Sequence, residues 1–274
     1  MRRRYDRLEQ VALISLAVLC VIEATSIVLR DSILPYVVGL VLLGLIAVLL
    51  VEVRRKLRLE HQATRFHVGE AVRESTAATQ LVSLIDATAP LPAMGDWAMQ
   101  PSALVTMFHL ARRNRPAVVV ELGSGASTVI LGHAVRSFGG RVVSLDHEEA
   151  FGRATREAVD AHGLGDTCTV VVAALVDIEV GGRSVRWYDL SALSGVEPIG
   201  MLVVDGPPGA TGPEARHAAL PLLRDRLAPG AIVVLDDVDR DDERRTVAAW
   251  DEAFPELEPV GSPAPRIAIR RVRP

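Results

Sequence analysis

A chain of 274 residues with 30 Lys+Arg, 34 Asp+Glu and a formal net charge of −4 is long enough for one full α/β core plus accessory segments. The charge is unevenly spread: residues 1–60 carry a net +3 and the remainder a net −7, with no basic stripe interleaved with aromatics, which argues against nucleic acid as a partner. The two cysteines, Cys20 and Cys168, are too few and too far apart for a disulfide framework or a Cys/His zinc site.

Val11–Leu29 is a 19-residue apolar stretch broken by Ser15, Glu23, Thr25 and Ser26, and Ile33–Val51 is a second 19-residue stretch without charge. At about 1.5 Å of rise per residue, each reaches across a hydrocarbon core of ~30 Å. Arg30, Asp31 and Ser32 alone separate them, so residues 1–52 are expected to form a transmembrane hairpin in the lipid bilayer, with spans at about 11–29 and 33–51. A cleaved signal peptide headed by Arg2, Arg3 and Arg4 fits less well, because a second span follows and no small-residue cleavage site is evident. Positive residues flank both ends, Arg2, Arg3, Arg4 and Arg7 before the hairpin and Arg54, Arg55, Lys56 and Arg58 after it. That pattern predicts a multi-pass protein of the cell (inner) membrane with both termini and the catalytic domain cytoplasmic. Glu23 is expected to snorkel or to pair with Arg30, two helices being too few to enclose an ion path.

Residues 53–88 read as a helical stalk. Val53–Ile85 contains no proline, and its apolar positions (Val53, Leu57, Phe66, Val68, Val72, Leu81, Leu84, Ile85) keep only a patchy helical spacing. Two readings stand: pairing with a second copy in a homodimer, or a partly solvated spacer packed on the following domain. Ala89–Pro101, with Pro90, Pro92 and Pro101, is the break. Its segment Gly95–Met99 would be either a lid over a cofactor or a loop covering a sheet edge.

Residues 89–274 alternate strand and helix, the pattern of a parallel sheet wrapped by helices. Strand one is Ala117–Glu121, followed at once by the turn Gly123-Ser124-Gly125 and the helix Ser127–Ser137. Arg141–Leu145 ends in Asp146, and a helix His147–His162 leads to strand three, Thr167–Val172. Ile178–Tyr188 suggests a hairpin about Gly181-Gly182, and Ile199–Val204 ends in Asp205. A helix Pro213–Leu227 precedes strand five, Ala231–Leu235, which ends in Asp236-Asp237. After a helix Arg240–Phe254, Glu258–Gly261 and Arg266–Val272 supply an antiparallel last pair.

Strands one, two, four and five thus finish in Glu121, Asp146, Asp205 and Asp236, on the side of an open α/β sheet where ligands bind. A dinucleotide loop would place a third glycine where this chain has Thr128, and a carboxylate at Glu121 would repel a pyrophosphate. Glu121 favours a cationic cofactor instead, and S-adenosylmethionine carries a sulfonium and an ammonium with no phosphate. Asp146, 23 residues beyond Gly123, suits the hydroxyls of a ribose in either cofactor class.

Glu121-Leu-Gly-Ser-Gly125, Leu145-Asp146, Val203-Val-Asp-Gly206 and Leu227-Ala-Pro-Gly230, in that order, resemble the class I S-adenosylmethionine-dependent methyltransferases from about Trp97 onward. The resemblance implies a Rossmann-like doubly wound sheet of about seven strands. It also implies that Glu121, Gly123, Ser124, Gly125 and Ser127 surround the methionyl part of the cofactor. Asp146 would hold the ribose, with His147, Ala173 and Ala174 lining the adenosine pocket. A finer resemblance, of Asp205 with Asp236-Asp237, is to the metal-dependent O-methyltransferases, in which such residues hold magnesium. Three hard oxygen ligands suit Mg²⁺, which would acidify a bound hydroxyl. Pro207-Pro208 departs from that pattern, and the chain's single lysine, Lys56, lies beside the membrane, so the lysine base of the catechol-type enzymes is excluded. His217, twelve residues beyond Asp205, or an Asp as in the sugar-modifying enzymes, is the candidate base.

The expectation is a membrane-anchored methyltransferase acting on a small-molecule, sugar or lipid-linked hydroxyl. The rivals are an NAD-dependent oxidoreductase, against which Glu121 and Thr128 speak, and a cofactor-binding scaffold without transfer chemistry.

Overall fold

The computed structural model describes residues 17, 18, 20–24, 33–95 and 98–273. Most of the expected first span, the Arg30-Asp31-Ser32 turn and Asp96-Trp97 of the expected lid lie outside the described residues. The chain divides into two units, Met1–Glu70 and Ala71–Pro274.

Helix α1 (Leu34–Leu84) begins in the first unit and joins the expected second span and stalk in a single 51-residue element. Nothing interrupts it, since Gly39, Gly44 and Gly69 are isolated glycines that a helix tolerates. Its apolar part has a mean hydropathy of 2.7 with no residue of that window buried, and Tyr36, Leu40, Val41, Leu43, Val48 and Leu50 are all exposed. It is the one helix among the described residues long and apolar enough to cross a membrane.

In the second unit the last turns of α1 bury Ala77 and Leu81, and Ile85 just beyond the helix is buried too, whereas Val72 is exposed. The Glu74 carboxylate accepts from the Ser102 amide (2.9 Å) and hydroxyl (2.7 Å). It thereby caps α2 (Pro101–Asn114), whose own N-cap residue Gln100 makes no side-chain bond.

The sheet contains β1 (Val118–Leu122), β2 (Arg141–Asp146), β3 (Cys168–Val172), β6 (Ile199–Val204), β7 (Leu227–Leu235), β8 (Leu257–Val260) and β9 (Ala268–Val272). Their order is β3-β2-β1-β6-β7-β9-β8, parallel except for β9, which runs antiparallel to β7 and β8. α3 (Ala126–Arg136) and α4 (Glu149–Ala161) connect β1, β2 and β3. Alternation along each strand makes two cores. Val119, Val142, Val203 and Val234 pack with α2 and α3 on one face, while Val120, Leu145, Val204 and Val233 pack with Trp187, Leu220 and Trp250 on the other. The hairpin of β4 (Leu175–Val180) and β5 (Arg183–Tyr188) forms its own two-stranded sheet about Gly181 and Gly182, both at positive φ.

Three expectations change. Strand one ends at Leu122 rather than Glu121. The helix after β2 starts at Glu149 rather than His147, because Asp146 Oδ1 accepts the Glu148 amide at 3.0 Å and turns the chain first. The helix expected over Pro213–Leu227 shrinks to α5 (Ala219–Leu223) and a 3₁₀ turn; the chain before α5 passes through Glu214 at φ +49°, outside the helical region, and Arg216 joins a buried cluster of carboxylates.

Candidate active site

β1 and β6 are neighbours whose following connections run to opposite sides of the sheet, so the crevice beyond their carboxyl ends is the switch point. Sheet hydrogen bonding continues one residue past the strands. The Gly123 amide donates to Leu145 O (2.8 Å), Asp205 to Leu122 O (2.8 Å) and Asp236 to Val204 O (3.1 Å). Asp146, Asp205 and Asp236 therefore stand level with Gly123 along the rim of the crevice. Glu121 does not. It lies two residues further in, paired with Ser144 and Val203 in the sheet, and is fully buried.

Glu121 supports the glycine turn from beneath. Its Oε2 accepts from the Thr128 hydroxyl (2.5 Å) and the Ser144 hydroxyl (2.7 Å), and Thr128 Oγ1 accepts the Gly125 amide (3.1 Å). Thr128, in the place of a third glycine, is the link between carboxylate and turn. Burial pushes the Glu121 pKa up, with the hydroxyls of Ser127, Thr128 and Ser144 opposing. Its other oxygen, Oε1, has no hydrogen-bond partner among the described residues. Gly123 holds φ +96°, and a Cβ there would stand 3.1 Å from the Asp205 carbonyl carbon. At Gly206 a Cβ would collide with the Tyr188 hydroxyl, whereas beside Gly125 there is open space. The turn is therefore closed below by backbone and open above Gly125, a cradle suited to a ligand that approaches the main chain.

Asp146, buried, accepts the Ser124 amide (3.1 Å) and hydroxyl (2.7 Å) at Oδ2, and the Ser124 hydroxyl oxygen lies 3.0 Å from Thr155 Oγ1, whose proton it can accept. A carboxylate has about four lone-pair sites and three are taken, the third by the Glu148 amide at Oδ1, so one ribose hydroxyl can still donate to it. His147 Nδ1 lies 3.8 Å from Asp146 Oδ1. The Ala173 amide is tied to Asp146 O at 2.7 Å; Ala173 is buried and Ala174 exposed. The group around Gly123, Gly125, Asp146 and Ala173 thus fits the adenosyl and methionyl parts of the expected cofactor. Sequence reasoning missed Tyr188, whose buried hydroxyl above Gly206 has no hydrogen-bond partner among the described residues, and whose ring meets His147 edge to face at 6.3 Å. Its place at the end of a short hairpin strand carried no signal.

Asp205, Asp236 and Asp237 do come together, one oxygen of each lying within 4.8 Å of the others. A cation is already among them. Arg216, 4% exposed, places Nη2 at 3.1 Å from Asp205 Oδ1 and 3.0 Å from Asp237 Oδ2, and Nη1 donates to the Asp236 carbonyl (3.1 Å). Asp237, at φ +62°, also pairs with Arg240 (3.0 Å) and Arg266 (2.6 Å). Among the described residues, Asp236 is the member of the set whose carboxylate has no ion pair. Burial, then Asp237, push its pKa up to about 6. Burial and Asp236 push Asp205 up as well, Arg216 opposing. With Asp205 and Asp237 already paired to arginines, Asp236 alone keeps a carboxylate free to face a cation, and one such ligand does not fit magnesium, which needs several charged oxygens.

His217 is not brought into this cluster. Its charged neighbours are Glu214 and Arg183, its backbone carbonyl accepts the Trp250 indole (2.8 Å), and its buried Nδ1 has no hydrogen-bond partner among the described residues. Burial lowers its pKa. Two residues of irregular chain turned Arg216 inward and His217 elsewhere, which no periodicity could show.

Residues 120–238 match the family described as a methyltransferase domain. An O-methyltransferase from Bacillus cereus, solved in complex with SAH, is similar with a TM-score of 0.50 at 19% identity, over 73% of this chain and 90% of its own. The O-methyltransferase TomG of Streptomyces achromogenes, involved in tomaymycin synthesis and solved with SAM, has a TM-score of 0.49 at 18% identity, over 66% and 84%. At such identities the likeness is one of fold. No curated protein matches the chain. The stretch that matches the methyltransferase domain lies wholly within the second unit.

Proposed function

We propose that the chain is a membrane-anchored methyltransferase that transfers the methyl group of S-adenosylmethionine to a hydroxyl of a small-molecule, sugar or lipid-linked acceptor. The observation that carries the reading is the level row of Gly123, Asp146, Asp205 and Asp236 at the switch point, with the open cradle above Gly125. When bound, the cofactor supplies an electrophilic methyl group on a sulfonium. Asp146 accepts from a ribose hydroxyl, and the Gly123–Gly125 turn, braced by Thr128 and Glu121, receives the methionyl part. Asp236 takes the acceptor's proton at its carboxylate, because its pKa of about 6 leaves it ionised near neutrality and it has no competing ion pair. Asp205 stays fixed by Arg216. Alignment and charge placement then supply the rate enhancement.

The anchor rests on α1, whose apolar side chains would be costly to leave in water over so long a run. Placement in the inner membrane facing the cytoplasm, with acceptors that are lipid-linked or made at the bilayer, follows from the flanking arginines. Leu57, Phe66, Val68 and Val72 are exposed along α1, where two copies would pair.

The test is transfer from methyl-tritiated S-adenosylmethionine to membrane extracts and to soluble metabolite pools, by membranes containing the chain. Label in a base-stable ether, absent with Asp146→Ala, supports the reading. Label recovered only on nitrogen or carbon would sink the hydroxyl assignment.

A further inference from the structure

We propose that Arg216 is the resident cation of this site, holding the place that a divalent ion would take, so that methyl transfer here proceeds without bound metal. The inference deepens the reading of the same site as the place of methyl transfer. The guanidinium touches all three residues of the would-be ligand set: Asp205 Oδ1 at 3.1 Å, Asp237 Oδ2 at 3.0 Å and the Asp236 carbonyl at 3.1 Å. An incoming ion would have to displace a group that is 4% exposed and cannot give up its proton in the protein. The guanidinium is also held from behind, its Nε lying 3.8 Å from the buried carboxylate of Glu243.

Charge and shape both matter here. A guanidinium is planar and directs its donors at two carboxylates in fixed directions, so it orients Asp205 and Asp237. It offers no open coordination position for a substrate hydroxyl. Removal of the acceptor's proton therefore falls to Asp236, the carboxylate that the arginine leaves without an ion pair. The single-lysine composition fits the same division of labour, since the second unit contains no lysine. Arg216 is a positioning residue and touches neither cofactor nor acceptor in this account.

Mn²⁺ provides the probe, because its electron paramagnetic resonance signal is lost on binding. The full chain in detergent, without cofactor or acceptor, is expected to leave the free Mn²⁺ signal unchanged at micromolar protein and ion. Arg216→Met is expected to bind one equivalent and to lose it again when Asp236→Asn is added. Should Arg216→Met alone not fold, the pair Arg216→Met with Glu243→Gln removes the stranded buried charge and is expected to show the same gain. One equivalent of Mn²⁺ on the unaltered chain, abolished by Asp236→Asn, would overturn the proposal. So would a folded variant lacking the guanidinium that still binds no ion. S-adenosylhomocysteine affinity, measured separately with and without chelator, is expected to change less than two-fold. Its complete absence would count against the methyltransferase reading, whereas loss with chelator alone would count against Arg216.

Discussion

Gly123 and Asp205 stand back to back across the switch point, so close that a Cβ on the glycine would lie 3.1 Å from the aspartate's carbonyl carbon and 3.2 Å from its oxygen. The contact joins the cofactor turn to the strand that presents the acidic cluster, and φ of +96° at Gly123 is the conformation that permits it. Gly123→Ala is expected to cost roughly 1–3 kcal/mol of stability from backbone strain, plus more than ten-fold in S-adenosylhomocysteine affinity. Thermal unfolding and calorimetry check the two separately. An alanine variant with normal affinity would show that the turn does not touch the ligand.

Asp146 has two tasks, and they separate by mutation. Asp146→Ala removes the acceptor of the Ser124 amide and hydroxyl as well as the proposed ribose contact. Hydrogen bonds to a charged group contribute about 1.5–3 kcal/mol, so affinity for S-adenosylhomocysteine should fall by roughly ten- to a hundred-fold. Ser124→Ala, which leaves the carboxylate in place, should fall less. Equal losses would assign the effect to the turn alone.

Asp236 sets the pH dependence. Its pKa moves from 3.8 to about 6, so kcat/KM should rise with pH through an acidic limb near that value and flatten above it. Asp236→Asn should abolish that limb along with most of the activity. The stability effect has the opposite sense. A carboxyl whose folded pKa is raised binds more protons in the native state, so its contribution is lost as pH rises from its ordinary value through about 6. Denaturation midpoints of the asparagine variant should lack that decline.

Glu121 offers a second sign test. Burial raises its pKa, so ionising it in the folded protein is unfavourable above its ordinary 4.5. Glu121→Gln should therefore compare better with the unaltered chain at about pH 8 than at about pH 5. If glutamine is equally harmful at both, the carboxylate is ionised and held by its hydroxyl partners.

Membrane attachment is checked on the full chain by fractionation. Retention in the pellet after alkaline carbonate extraction is the expected outcome for a chain whose α1 has a mean hydropathy of 2.7 over its apolar part. Release into the supernatant would make α1 a peripheral element.

The parallel strands were legible because each is a short β-branched run closed by a turn residue, as in Val118–Val120 and Val203-Val204. The carboxylate row was nearly legible. Asp146, Asp205 and Asp236 stand where the pattern puts them, but Glu121 falls one residue short of its strand end, and that single step takes it out of the crevice and beneath the turn. Arg216 was illegible. It comes from irregular chain after Pro207-Pro208, where neither a 2.0 nor a 3.6 period says which way a side chain points. His217, the more reactive residue type, drew attention from the neighbour that meets the aspartates. The length of α1 was likewise divided in the sequence by a change of polarity at Val51–Arg54, which alters the solvent a helix meets and not its backbone.

The most direct measurement is calorimetric titration of S-adenosylhomocysteine into the full chain in detergent, with NAD as the control. Binding in the micromolar range with NAD silent, weakened by Asp146→Ala, is the expected result. NAD binding, or silence toward both ligands in a chain shown to be folded, would contradict the assignment of the Gly123–Asp146 crevice as the cofactor site.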